Sequence, residues 1–60
     1  DLTQEQKEAF ELAKAAGISG ISGKELGEKL GITQQSAWGR LENLMEKGFI
    51  TKRFGRCYSK

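Results

Sequence analysis

The sequence predicts a mainly α-helical domain, three helices followed by a small β-hairpin. Three observations predict it. The polar residues Thr3, Ser22 and Thr33 each precede a segment whose apolar residues recur at helical spacing. Gly17, Gly31 and Gly48 stop those segments. Past Gly48 the apolar pattern changes to a loose alternation, as in a strand.

The first helix is expected from about residue 4 to 16. Thr3 and Gln6 form a capping box, and Glu5 and Glu8 suit the positive end of the helix dipole. Ala9, Phe10, Ala13 and Ala16 make its buried stripe. Ile18 to Ile21 form a short connection with room for one or two residues of edge strand. Ser22 and Glu25 form a second capping box, opening a helix over about 23–30. Leu26 and Leu30, four apart, face inward together. Gly27 sits between them at a cost of about 1 kcal/mol in helix propensity, tolerable if the next helix crosses close by. Gly31 closes this helix in the left-handed conformation, Ile32 plugs the turn, and Thr33 caps the third helix. That helix is expected over about 34–47, with Ala37, Leu41, Leu44 and Met45 on one arc. The hairpin follows at about 49–59, turning near Gly55.

Sixty residues fit one domain, 1–60. A chain this short buries only about 60% of its unfolded surface, so packing and caps must carry its stability. A lone cysteine, Cys57, rules out an internal disulfide framework. It also cannot make a structural zinc site in a chain without His, and it reads as a small hydrophobe. No cofactor is expected. The chain starts at Asp1 rather than Met, which suggests a fragment or a processed chain. It carries no signal peptide and no apolar run long enough to span a bilayer, so a cytoplasmic location is expected, nucleoid-associated in a prokaryote.

Catalysis is nearly excluded by inventory. There is no His to act as a base near neutral pH, and no G-x-x-x-x-G-K-[ST] phosphate loop. Charge is segregated instead. Net charge is +2, but residues 1–30 carry four Lys and six acids, while residues 31–60 carry six Lys or Arg and two acids. Five of those cations lie between Lys47 and the end, with no acid among them. This distribution suggests a polyanion-facing end.

The tight succession of the second helix, a Gly-centred turn and the third helix is the arrangement that lets a braced helix enter the DNA major groove. With Ala37, Leu41 and Leu44 inward, Gln35, Ser36, Gly39 and Asn43 point outward, flanked by Gln34, Trp38 and Arg40. Gln pairs bidentately with adenine and Arg with guanine, while Ser36 and the helix start suit phosphate. Thr33, Trp38 and Lys47 are possible further contacts. The plain alternative is that Gln34, Gln35 and Ser36 are ordinary polar surface; the capped turn favours recognition. Glu42 and Glu46, one turn apart, would repel phosphate, which requires the helix to roll its Arg40–Lys47 edge toward the backbone. Trp38 is expected to pack at the core margin rather than contact a base. Lys52, Arg53 and Arg56 bracket the hairpin tip and could neutralise phosphates, or keep an exposed hairpin soluble. Phe54 and Tyr58 are expected to pack in the small core or hairpin.

The run SGKELGEKLGITQQSAWGRLENLMEKGFI resembles the winged helix-turn-helix superfamily, with the likeness covering residues of about 19–59. It is similar to MarR-like regulators and to the winged helix fused to archaeal riboflavin kinases. The pieces ISGKELGEKLGI, SAWGRL and FGRCYSK resemble the N-terminal domain of biotin-protein ligase repressors, and the GRCY ending resembles the C-terminal winged helix of archaeal replicative helicases. The resemblance implies three helices with a hairpin wing. It puts Gln34, Gln35, Ser36, Gly39 and Arg40 on recognition-helix positions and residues 53–56 on the wing. Gly39 and Glu42 stand where such families often carry basic residues, which implies lower intrinsic affinity. Double-stranded DNA is the implied partner, with the module serving a transcriptional regulator or a DNA-processing protein. Two other readings stay open: RNA binding, and a protein-interaction module using Trp38, Met45 and Phe54 as an apolar patch. A monomeric module is expected, or one paired through the rest of a larger parent chain or a homodimer.

Overall fold

The computed structural model describes residues 2–60, and is made of three helices followed by a two-stranded antiparallel hairpin. Helix α1 spans Gln4–Ala16 and runs into a 3-10 turn at Gly17–Ser19. Helix α2 spans Gly23–Leu30 and α3 spans Gln34–Glu46. Strands β1 (Ile50–Arg53) and β2 (Arg56–Ser59) close the chain.

Local chemistry accounts for each boundary. At the start of α1 the Gln6 N–H donates to Thr3 Oγ1 and the Thr3 N–H donates back to Gln6 Oε1, both at 3.1 Å. Ser22 and Glu25 make the same reciprocal pair at α2. These two boxes satisfy four amide donors that would otherwise lack partners. Gly31 ends α2 at φ 71° and ψ 32°, the left-handed conformation a Cβ disfavours. The Ile32 N–H then donates to Gly27 O at 2.9 Å, folding the turn back over α2. The space for Gly27 is set by this turn rather than by the body of α3. A Cβ at position 27 would lie 2.8 Å from Ile32 O.

Helix α3 ends one residue earlier than its periodicity predicts. The Gly48 N–H donates to Met45 O and the Phe49 N–H to Leu44 O, each at 3.0 Å. That paired arrangement consumes the last carbonyls and turns the chain into β1.

The core lies where the helices meet the hairpin. Ala9 and Ala13 of α1, Leu26 of α2, Ala37, Leu41 and Leu44 of α3, and Ile21, Ile50 and Cys57 are all buried. Helix α1 contributes only alanines to this set, which allows close approach of α3. Phe10 and Ala16, expected within the buried stripe, are half-buried margins. Phe10 meets Phe49 edge-to-face, ring centroids 5.5 Å apart, so α1 is tied to the segment leaving α3. Ile21 bridges Cys57 with reciprocal backbone bonds of 2.8 Å. The connection thus contributes one residue of strand beside β2.

The hairpin register pairs Ile50 with Ser59, Thr51 with Tyr58, Lys52 with Cys57 and Arg53 with Arg56. Facing residues share a side of the sheet: the buried Ile50 and Cys57 lie with Lys52 on one side, and Thr51, Arg53, Arg56 and Tyr58 on the other. Two residues remain for the turn, Phe54 and Gly55, at φ 51° and 77°.

Candidate nucleic-acid interface

The start of α3 is open. Thr33 Oγ1 accepts from the Ser36 N–H at 3.1 Å and donates to Ser36 Oγ at 3.0 Å, which fixes both side chains at the helix entry. Gln34, Gln35, Ser36 and Asn43 are exposed. Gly39 is half-exposed, and nothing lies within 4 Å of where its Cβ would be. The N-terminal half of α3 therefore presents amide and hydroxyl groups and carries no acid. Glu42 and Glu46 are carried on the C-terminal half.

Trp38 packs against the core at its margin, as expected. Its indole lies on Gly23 at the start of α2, so closely that a Cβ there would fall inside van der Waals contact with the ring. Lys52 also meets the ring: Nζ stands 4.9 Å from the ring centroid. This cation–π contact brings the β1 side of the hairpin against α3. Lys52 and the exposed face of α3 are thereby neighbours.

The remaining predicted cations take different positions. Arg53 is exposed and faces away from the core, with no ion pair among the described residues. Arg56, expected at the tip as a phosphate contact, is an internal brace in the structure. Its Nε donates to Ser19 O at 2.7 Å, and one terminal NH2 donates to Gly20 O at 3.1 Å and Glu25 Oε1 at 2.7 Å. Hydrogen bonding from Arg56, with that from the Ser22 amide, holds the Glu25 carboxyl below the usual carboxylate range. Arg40 lies on the opposite side of α3 from Trp38, 3.4 Å from Glu5 Oε2 of α1. Lys47, on the same edge, donates to Gln6 Oε1 at 3.4 Å. The Arg40–Lys47 edge, expected to lean toward a phosphate backbone, is thus directed at α1.

One expectation for an apolar side chain, and one alternative, are corrected. Phe54 does not pack in the core or hairpin; it is fully exposed, because both turn residues must take positive φ and the side chain leaves the sheet. The Trp38–Met45–Phe54 patch of the alternative protein-interaction reading is not assembled, since Trp38 and Met45 are packed against the core. Sequence reasoning also misses Ile18, which is 98% exposed in the 3-10 turn. Cys57 is buried, and desolvation raises its thiol pKa against a smaller opposing effect of Lys52. Among the described residues no cluster of potential metal ligands occurs, and no helix is long and apolar enough to cross a membrane.

Residues 11–51 match the family described as winged helix-turn-helix DNA-binding, more than half of the chain. No curated protein and no solved structure matches the chain.

Proposed function

Because this chain belongs to the winged helix-turn-helix DNA-binding family, we propose that it seats the first turns of α3 in the major groove of double-stranded DNA. The hairpin then lies along the adjacent phosphates. The observation that carries the reading is the exposed, acid-free start of α3 beside Lys52, which Trp38 holds in place. Gln34 and Gln35 are the base-reading residues, with Ser36 and Gly39 completing the contact face and Asn43 at its far margin. The amides at the α3 start, ordered by Thr33, suit a phosphate. Lys52 and Arg53 neutralise the backbone. Arg56 acts by bracing β2 to the 3-10 turn and α2.

The acids set the docking angle. Glu42 and Glu46 both lie in the second half of α3, so the helix enters by its N-terminal end and its C-terminal half tilts away from phosphate. Arg40, held near Glu5, sits at the α1 edge of that face rather than at its centre. The biological setting that fits is the DNA-binding module of a transcriptional regulator or DNA-processing protein in the cytoplasm or nucleoid.

A salt titration tests this. Duplex DNA affinity should fall linearly on a log–log plot, and Lys52→Gln with Arg53→Gln should make the slope shallower by about 0.9 for each phosphate no longer neutralised. Gln35→Ala should alter base preference by roughly 1–3 kcal/mol. Unchanged slope and preference, or tighter binding to single-stranded RNA, would defeat the reading.

A further inference from the structure

Phe54 stands at the tip of the hairpin, fully exposed at 101%, and its backbone φ of 51° is a rare conformation for a bulky side chain. A two-residue turn with positive φ at both positions favours Asn-Gly or Asp-Gly. Asn at position 54 would make the same turn with less strain and without a solvated phenyl ring. A strained backbone that presents an apolar ring to water marks a place where the ring meets something else.

The ring borders an open groove of about 660 Å3, lined also by Ile18, Thr51, Arg53 and Tyr58. Thr51, Arg53 and Tyr58 stand on the side of the hairpin opposite Lys52. Ile18 comes from the 3-10 turn and is 98% exposed. The groove thus combines an aromatic face, an aliphatic side chain, two hydroxyls and a guanidinium, and no acid lines it among the described residues. A nucleotide matches each of these: its base has flat apolar faces and a polar edge, and its phosphate carries the negative charge.

We infer that this groove seats one unpaired nucleobase of DNA, its face on the Phe54 ring and Ile18, its edge toward the Thr51 and Tyr58 hydroxyls, and its phosphate on Arg53. The inference rests on the DNA-binding reading and extends it from plain duplex to a junction where duplex meets a single strand. Arg53 gives the continuity. It immediately precedes Phe54, so a backbone phosphate held by its guanidinium brings the attached nucleoside beside the ring. A nucleotide is selected over a peptide because the chain belongs to a DNA-binding family and the groove shares this cation with the surface assigned to DNA. An unpaired base is selected over a paired one because neighbours cover both faces of each base inside a duplex, and exposing one costs unstacking energy. A single-stranded extension offers an open face without that cost.

The test uses fluorescence anisotropy with three labelled DNAs: a blunt duplex, the same duplex with a single-stranded extension, and the same extension made of abasic sites. The abasic strand keeps every phosphate and removes the bases. The natural extension should tighten binding about tenfold over the blunt duplex, the size of one base–aromatic stack, and the abasic extension should lose most of that gain. Phe54→Asn should abolish the gain and leave blunt-duplex affinity unchanged, and Ile18→Ser should reduce the gain. Neither side chain is in the core, and Phe54→Asn should raise the melting temperature, so the loss would not reflect unfolding. Lys52→Gln should weaken all three DNAs by the same factor. Equal affinity for natural and abasic extensions, a preference that survives Phe54→Asn, or a Phe54→Asn loss as large on the blunt duplex would each overturn the inference while leaving duplex binding intact. Binding to none of the three DNAs would defeat the DNA-binding reading and this inference with it.

Discussion

Adding one methyl group at Gly27 and at Gly39 should change stability in opposite directions. Both glycines lie inside helices, and at both Ala is favoured by about 1 kcal/mol in intrinsic helix propensity. Their surroundings differ. A Cβ at position 27 would stand 2.8 Å from Ile32 O and 3.3 Å from the Thr33 carbonyl carbon and oxygen. Those are backbone atoms, held by the 2.9 Å bond from the Ile32 N–H to Gly27 O and by the Thr33 cap, so they cannot swing aside. Overpacking a fixed site costs about 1–3 kcal/mol, and a clash with backbone belongs in the upper part of that range. Gly27→Ala should therefore destabilise by about 1–2 kcal/mol net, after the propensity gain. At Gly39 nothing lies within 4 Å of the new atom, so Gly39→Ala should stabilise by about 1 kcal/mol. In a domain of this size each kcal/mol moves the melting temperature by about 4–8 °C. Thermal melts followed by circular dichroism would show the two variants on opposite sides of the parent. A Gly27→Ala variant as stable as the parent, or a destabilised Gly39→Ala, would refute the account of the α2–α3 turn.

The Glu25–Arg56 pair gives a pH prediction. The folded carboxyl pKa is lowered, so its contribution is present above the unfolded pKa and is lost as pH falls through the folded value. Glu25→Gln keeps an acceptor for the Ser22 N–H but removes the charge. It should be less stable than the parent at neutral pH and converge with it in acid; a constant difference across pH would contradict the assignment. The Cys57 thiol, buried and with its pKa raised, should resist a disulfide reagent at neutral pH until the domain unfolds in denaturant. Rapid labelling of the native protein would show that β2 is not packed as described.

The caps are legible in the sequence because both partners lie three residues apart: Thr3 with Gln6, Ser22 with Glu25, Thr33 with Ser36. The core positions of α3 follow from helical period for the same reason, and Trp38 falls at the edge of that arc. What sequence pattern does not carry is partnership across the fold. Arg56 finds Glu25 across 31 residues and Arg40 finds Glu5 across 35, so both look like free cations when read from neighbouring residues alone. Phe54 misleads because hydrophobicity argues for burial, whereas the two-residue turn dictates the backbone and ejects the side chain. Ile18 escapes on similar grounds: three residues of 3-10 turn between Ala16 and Gly20 carry no period from which a face can be read. On α3, Gln35 is exposed as its helical position requires and Gln34 because it opens the first turn, while the division of the wing cations between two sides of the hairpin emerges only from the strand register.

The central claim is that the start of α3 and the Lys52–Arg53 end of the hairpin form one DNA-facing surface. An amide-resolved NMR titration with duplex DNA addresses it most directly. Shifts should concentrate at Thr33–Gly39 and at Lys52 and Arg53, with little change at Glu8, Glu11 and Lys29 on the α1–α2 side. Shifts centred on that α1–α2 side, or none at Gln34 and Gln35 on saturation, would contradict the account.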